Sequence, residues 1–396
     1  ENKKAGLTEP ASLHPAFNPG KCVGCGACVN ACPEGDVIGL ISGKASLINP
    51  TYCIGHGACK KACPFDAITL VFGTENRGID IPNVSENFET NLPGVFIAGE
   101  LGGMGLIRNA TEQGRQAMES IAKRKADSNF DYDVVIVGAG PAGFSATLAA
   151  HEKKLNYKTI EQDSLGGTVF NFPRGKVVMT APAKLPIVGK VKIRETSKEA
   201  LLKLWLQIEK QTGIKINYRE KMDDISRQDD GYLVKTNKGE YKTKNILLAI
   251  GRRGTPRKLG VPGEELPKVI YNLIDPEQYQ GQHVLVVGGG DSALEAACSI
   301  AEQPGTKVTI SYRSEAFSRA KEKNRNRVAE AEKNGNIQVI MSSSVKNFSE
   351  SEVVIEKKDE SVTLKNDATL VCAGGILPTP FLKKIGIEVE TKHGTE

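Results

Sequence analysis

The chain has 396 residues, 39% of them hydrophobic and 25% charged. That balance belongs to an ordinary globular protein of two to four domains and excludes a disordered or low-complexity chain. The formal net charge of +5 is carried without any run of five like charges, which suits phosphate-bearing ligands and excludes a dedicated nucleic-acid-binding tail.

Seven of the nine cysteines fall between Cys22 and Cys63. Such short, fixed spacings read as metal ligation rather than a secreted disulfide framework, and they predict a reducing, cytoplasmic setting. Residues 22–33 read CVGCGACVNACP, a C-x2-C-x2-C-x3-C-P run. Four thiolates in so short a loop suit a cluster in which each iron takes one terminal thiolate; a zinc knuckle would instead bring two CxxC pairs from distant segments. Residues 53–64, CIGHGACKKACP, repeat the spacing with His56 in place of a cysteine. The region 14–72 therefore resembles the bacterial dicluster ferredoxins. In that family the fourth cysteine of each run ligates the other cluster. The resemblance implies that Cys22, Cys25, Cys28 and Cys63 hold one [4Fe–4S] cluster, and that Cys53, Cys59 and Cys32 hold the second. His56 leaves three alternatives: nitrogen ligation of the fourth iron, an open corner giving [3Fe–4S], or a solvent-facing histidine. The glycines on both sides of it favour ligation. Residues 1–73 carry six Lys and five Asp or Glu, a nearly neutral balance consistent with a tethered module.

The next ordered stretch is GVFIAGELGGMGLIRNATEQG, residues 94–114. An apolar strand runs into a glycine-rich turn at Gly99 and Glu100, and then into a polar helix through Arg108, Asn109 and Ala110. Downstream, the run from 131 to 162 places VVIV before a G-x-G-x-x-G turn, an apolar helix and a strand ending at Glu161. Gly138 allows the tight turn, Gly140 lets a pyrophosphate approach the backbone, and Gly143 permits close helix–strand packing, with Pro141 and Ala142 between them. Phosphates would sit at the helix N-terminus, and Glu161 is placed to accept from ribose hydroxyls. The uncharged run 134–150 contains this turn and is shorter than a membrane span of roughly 20 residues, so no membrane segment is expected. No signal peptide is visible; the chain opens on Glu1 rather than Met.

Gly166, Gly167 and Thr168 follow, and the buried strand of NILLAIGRRG ends in a turn at Gly251. A second strand–turn–helix unit spans 283–313, with Gly288, Gly290, Asp291, Ser292 and Ala293 in its G-x-G-x-x-A turn. Its second strand, KVTISY, ends on Arg313 instead of an acid. An acid there would contact the 2′-hydroxyl of NAD, whereas an arginine pairs with a 2′-phosphate. Ser314, Arg319, Lys321 and Arg325 follow closely; the alternative for this basic run is a solvated helix. Cys298 on an apolar helix stripe and Cys372 in an apolar strand read as small core residues.

These segments resemble the thioredoxin-reductase-like pyridine nucleotide–disulfide oxidoreductases over about residues 76–396. The resemblance implies an α/β fold with two Rossmann-like nucleotide-binding domains, for FAD and NADPH, behind an α+β dicluster ferredoxin domain. It also implies that Gly374, with Gly375, marks the hand-back from the nicotinamide domain to the flavin domain. In the family a strand, a G-(D/E) pair and a helix aimed at the flavin close the chain. Here those features lie at 76–124, ahead of the first turn, so a circular permutation is expected. On that reading Glu100 takes the acidic position near the ribityl or pyrophosphate part of FAD. Arg108, Asn109 and Ala110 begin the helix whose positive end faces the flavin. The expected domains are 1–75 for the ferredoxin, 76–125 and 126–265 for the flavin domain, 266–374 for the nicotinamide domain, and 375–396 for the return.

The family's redox C-x-x-C is missing, and Ala142 stands where bacillithiol-disulfide-reductase-like relatives carry a cysteine. No catalytic residue is singled out. The expected activity is hydride transfer between NADPH and FAD, with single electrons passing between FAD and two clusters, to or from an external redox protein or small carrier, in a homodimer. The rivals are direct reduction of a small disulfide or quinone, with the clusters as an inlet, and a redox-sensing subunit without turnover.

Overall fold

A computed structural model describes residues 10, 13–53, 55–74, 78–103, 105–124, 129–180, 182–193, 195–252, 254–357 and 360–394. It divides into two compact units: Glu1–Ile79 with Pro256–Gly375 and Lys392–Glu396, and Asp80–Thr255 with Ile376–Thr391.

The chain begins with β1 (His14–Phe17), α1 (Ala27–Asn30), β2 (Ile38–Ile41), β3 (Lys44–Leu47), α2 (Ala58–Ala62) and β4 (Ile68–Val71). β1 pairs antiparallel with β4, and β2 with β3. The small core between them mixes Val37, Ile38, Ala45 and Ile68 with Cys28 and Cys59. This module is too small to rely on apolar burial alone, which is where cysteine-bound metal normally contributes folding energy.

The second unit starts in β5 (Ile79–Pro82), β6 (Val95–Ile97) and α3 (Ile107–Ile121), and continues through β7 (Tyr132–Val137), α4 (Pro141–Glu152) and β8 (Tyr157–Glu161). Two short ribbons follow, β9 (Val177–Met179) with β12 (Glu195–Ser197), and β10 (Ala183–Leu185) with β11 (Gly189–Val191). Then come α5 (Lys198–Thr212), β13 (Ile216–Tyr218), β14 (Met222–Gln228), β15 (Gly231–Thr236) and β16 (Glu240–Leu248). The sheet order is β13-β8-β7-β16-β15-β14, and β6 also pairs with β16. β7 is a near-continuous apolar run because it is a parallel strand covered on both faces; Val134, Val135 and Ile136 are fully buried.

β6 lies in parallel register with β16, Val95 opposite Ile246 and Ile97 opposite Leu248. The strand that precedes the first turn in sequence thus belongs to the same sheet as the turn. Small residues let α3 lie directly on α4: Ala110, Ala117 and Ala142, Ala146, Ala149 share one core.

The first unit resumes after β17 (Thr255–Pro256) with β18 (Val269–Ile270), β19 (His283–Val287), α6 (Asp291–Ala301), β20 (Lys307–Tyr312), α7 (Glu322–Lys333) and β21 (Ile337–Met341). The antiparallel β22 (Ser343–Phe348), β23 (Glu352–Lys357) and β24 (Glu360–Lys365) precede β25 (Ala368–Val371). The parallel order is β18-β25-β19-β20-β21. Finally β26 (Gly375–Ile376) pairs with β17, and α8 (Thr379–Lys384) leads to β27 (Val389–Lys392), which pairs with β5. Around that last pair Asn83 N–H donates to the Glu388 carbonyl at 2.9 Å, and the Asn91 side chain bonds Gly386 and Glu388. Among the described residues no helix is long and apolar enough to cross a membrane.

Candidate functional site

In the second unit, adjacent parallel strands β8, β7, β16 and β6 all end on the same edge of the sheet. That edge carries Glu161, Gly138, Gly251 and Gly99 respectively, the crevice position at which open α/β sheets bind ligands. Close backbone approach dictates two of the residue types. A Cβ on Gly143 would stand 1.8 Å from the Gly138 carbonyl oxygen, and one on Gly138, at φ 102°, would stand 2.5 Å from that of Ala249. Pro141 opens α4 at a position whose N–H would be unpaired in any case, and Gly140 leaves the approach to the helix N-terminus open to backbone only.

The Gly166–Thr168 segment is held over this turn, with Gly166 N–H donating to the Ala139 carbonyl at 3.0 Å. Glu161 is 6% exposed. Its two oxygens accept from Ala139 N–H at 2.7 Å and Asp163 N–H at 3.0 Å. Burial pushes its carboxyl up, and those backbone donors pull the other way. The side chain therefore braces the turn itself, and each oxygen retains a further lone pair for a ribose hydroxyl.

The segment ahead of the turn joins the same place. Gly99 N–H donates to Gln113 Oε1 at 2.8 Å, and a Cβ on Gly99 would stand 2.9 Å from that of Ala142. Ala110 is buried against the same alanine, Arg108 is exposed at the first turn of α3, and Asn109 and Glu100 are half-buried.

In the first unit, the ends of β25, β19 and β20 bring together Gly374, the Gly288–Ala293 turn and Arg313. A Cβ on Gly288 would stand 2.4 Å from the Cys372 carbonyl oxygen. Cys372 lies just beyond β25 rather than within it, since the strand stops at Val371. Gly290 has no neighbour in the way of a Cβ; Ser292 is exposed and Ala293 buried. Arg313, Ser314, Arg319 and Lys321 all lie in the connection between β20 and α7. Within residues 317–327 the helix takes in Lys323, Arg325 and Arg327 but not Arg319 or Lys321, so the alternative of a solvated helix describes only the second half of the run. The guanidinium groups of Arg313 and Arg319 are exposed and form no ion pair among the described residues.

One cavity is lined by Cys22, Cys25, Cys28 and Cys63, together with Phe17, Val23 and Ile68. Four thiols from two distant runs around one opening is the donor chemistry a cubane cluster requires. Cys22 Sγ accepts from Ala45 N–H and Cys63 Sγ from Ala67 N–H, each at 3.4 Å. The Ala45 bond leads the forces that lower the Cys22 thiol pKa. Cys32 lies close enough to act electrostatically on both Cys53 and Cys59, and Cys53 on Cys59, so these three form a second group. Burial pushes the Cys53 thiol up and that of Cys59 up to about 11, and it raises that of Cys28 in the first group as well.

His56 is half-buried, and burial lowers its imidazole pKa while Glu34 opposes the change. Its loop repeats the first one in backbone as well as in sequence. Gly24 and Gly26 stand at φ 73°, Gly55 and Gly57 at 78° and 69°, so His56 is presented on a loop of the same form as Cys25. Among the described residues no three His, Cys, Asp or Glu side chains converge as they would around a single ion.

Sequence reading missed the hydrogen bonds that tie the second turn to the loop after β20. Asp291 Oδ1 accepts from Lys321 N–H at 2.8 Å and Asn324 Nδ2 at 2.7 Å. No local motif links residues so far apart in sequence.

Residues 135–395 match the family described as pyridine nucleotide-disulphide oxidoreductase, and residues 14–64 match the 4Fe-4S dicluster domain. A bacilliredoxin reductase from Bacillus subtilis is 29% identical over 266 residues, covering 66% of this chain and 82% of that protein. A ferredoxin–NADP reductase from Ignicoccus hospitalis is 33% identical over 186 residues, 47% of this chain. The match spans only 57% of that relative's length. Among solved structures, bacillithiol disulfide reductase from Staphylococcus aureus superposes with a TM-score of 0.54 at 24% identity, over 64% of this chain and 80% of that one. At that identity the likeness is one of fold.

Proposed function

Because the chain belongs to the pyridine nucleotide-disulphide oxidoreductase family and carries a 4Fe-4S dicluster domain, we propose that it is an NADPH-linked FAD oxidoreductase that exchanges single electrons with an external redox protein by way of its ferredoxin module. When bound, FAD exchanges a hydride with NADPH as an electron pair and releases electrons singly, and each iron–sulfur cluster carries one.

The chain's own residues have three tasks in this reading. The N-terminus of α4, kept open by Gly140 and braced by Glu161, receives the FAD diphosphate. The N-terminus of α3, beginning at Ile107, directs its positive end toward negative charge. In the other nucleotide domain the turn at Gly288–Ala293 takes the second diphosphate, and Arg313 and Arg319 pair with a 2′-phosphate. Cys22, Cys25, Cys28 and Cys63 hold one cluster, while Cys32, Cys53 and Cys59 with His56 hold the other. The burial of Cys28, Cys53 and Cys59 and the N–H donors to the sulfurs of Cys22 and Cys63 both bear on cluster potentials.

The observation that carries this reading is a four-thiol cavity on a chain whose two cysteines outside the ferredoxin region, Cys298 and Cys372, are inert. Cys298 is buried inside α6, and burial raises its pKa. The Cys372 thiol is pushed up to about 12 by burial. Disulfide reduction needs a thiolate near neutral pH, and neither group supplies one. Relatives named as ferredoxin–NADP reductases support a redox-protein partner.

Anaerobic assays of the loaded enzyme and its Cys25→Ser variant test the proposal. In both proteins NADPH should bleach the flavin at similar rates, while NADPH-driven reduction of an added ferredoxin falls at least about ten-fold in the variant, as loss of one metal ligand in a relay would require. Equal ferredoxin reduction by the two proteins would overturn it.

A further inference from the structure

An acid at the start of a helix that is to receive a diphosphate is electrostatically unhelpful, and Asp291 is the first residue of α6. Its geometry supplies a different reason for it. Asp291 Oδ1 accepts from the backbone N–H of Lys321 and from Asn324 Nδ2, and that same Nδ2 also donates to Glu295 Oε1 at 3.2 Å. Both protons of the Asn324 amide are thereby directed at α6, from a side chain that is 8% exposed.

The rest of the connection is pinned in the same sense. The Arg325 guanidinium donates to the Ala320 carbonyl at 2.9 Å. Tyr312 and Phe317 stack with ring centroids 5.6 Å apart, and Phe317 and Ala320 are buried in the core around α6. What remains outside this framework is the pair of exposed guanidinium groups of Arg313 and Arg319.

We propose that Asp291 and Asn324 form a latch between α6 and the loop 313–321, and that this latch, acting through the two arginines, sets the preference for NADPH over NADH. The inference rests on the NADPH reading above. Asn324 is a positioning residue: it touches no part of the nucleotide. A long, rotamer-rich arginine loses affinity when its backbone must be ordered on binding, and a backbone fixed beforehand removes that cost. Releasing the loop should therefore weaken contact with the 2′-phosphate and leave the diphosphate and nicotinamide contacts alone.

Binding of NADPH, NADH and 2′-phospho-ADP-ribose to the FAD-loaded full chain, by calorimetry, tests this with four variants. Asn324→Leu keeps the volume and removes the donor. It should raise the Kd for NADPH and for 2′-phospho-ADP-ribose about ten-fold in protein that stays folded and FAD-loaded, and leave that for NADH within two-fold. The single change Asn324→Asp sets a third carboxylate beside those of Asp291 and Glu295 and should do the same, while the triple change Asp291→Asn, Glu295→Gln and Asn324→Asp exchanges donor for acceptor at both contacts and restores the preference. Equal loss for both nucleotides in Asn324→Leu, or no restoration in a triple variant that melts like the parent, would overturn the latch. Arg313→Ala separates the two readings. If the parent binds NADPH no better than NADH, the NADPH assignment fails; if Arg313→Ala abolishes a preference that the parent has while Asn324→Leu does not, only the latch fails.

Discussion

Glu220 shows how a charged group is kept in the interior of the second unit. Burial by itself would push its carboxyl up. Tyr241 donates at 2.5 Å, Thr236 at 2.9 Å and Asn217 at 3.0 Å, and together these donors hold it below the usual carboxylate range. A carboxyl whose folded pKa is depressed contributes stability above its unfolded pKa of about 4.3, and that stability is lost as pH falls through the lower folded value. Tyr241→Phe removes one donor to a charged acceptor and should cost about 1.5–3 kcal/mol at pH 7. The cost should shrink as pH falls through that lower folded value, where Glu220 becomes protonated in both proteins. Urea unfolding across an acid pH series checks this; a difference that stays constant with pH contradicts it.

Glu220 was not legible in the sequence, because its three partners come from β13, β15 and β16 and meet only through sheet register. Glu161 was, because an acid at the end of the strand after a glycine turn has a position fixed by local order. Its bracing of Ala139 N–H was not, since that bond depends on how β7 and β8 align.

The pairing of α3 with α4 joins the displaced segment to the first nucleotide-binding domain. Gly114 makes it possible: a Cβ there would stand 2.0 Å from the Ala142 carbonyl oxygen. Gly114→Ala sets two effects against each other. Helix propensity favours alanine by about 1 kcal/mol, while overpacking against backbone costs about 1–3 kcal/mol. Because the obstacle is a main-chain atom of the Gly138–Gly143 turn itself, the steric term should win. The variant should release FAD at a lower temperature than the parent, while iron content and cluster absorbance are retained. Unchanged FAD release would mean that α3 does not support the turn. The strand at 95–97 and the helix after it were legible from VFIAG and the spacing of small residues. That they complete the sheet of β7 came from resemblance to a family, because periodicity says that a face is buried but not what buries it.

β27 returns to β5, so that hydrogen bonds between Asn83, Asn91 and residues 386–388 hold together segments about 300 residues apart, the closeness that a circular permutation would require. The cysteine runs and both glycine turns announced the ferredoxin and nucleotide-binding modules because each is a local motif with a chemical reason for its spacing. What stayed hidden were contacts within a module, such as the hydrogen bonds of Asp291 to Lys321 and Asn324, whose positions are separated from it by a strand and a loop. The functional proposal requires that pyridine nucleotide, flavin and iron share electrons within this one chain. Anaerobic titration of the fully loaded protein with NADPH, followed by absorbance and EPR, examines that requirement. Flavin bleaching should be accompanied by signals from reduced clusters, with about four electron equivalents taken up per chain, two by FAD and one by each cluster. Clusters that stay oxidised beside a fully bleached flavin, yet accept electrons from dithionite poised at the same potential, would contradict it.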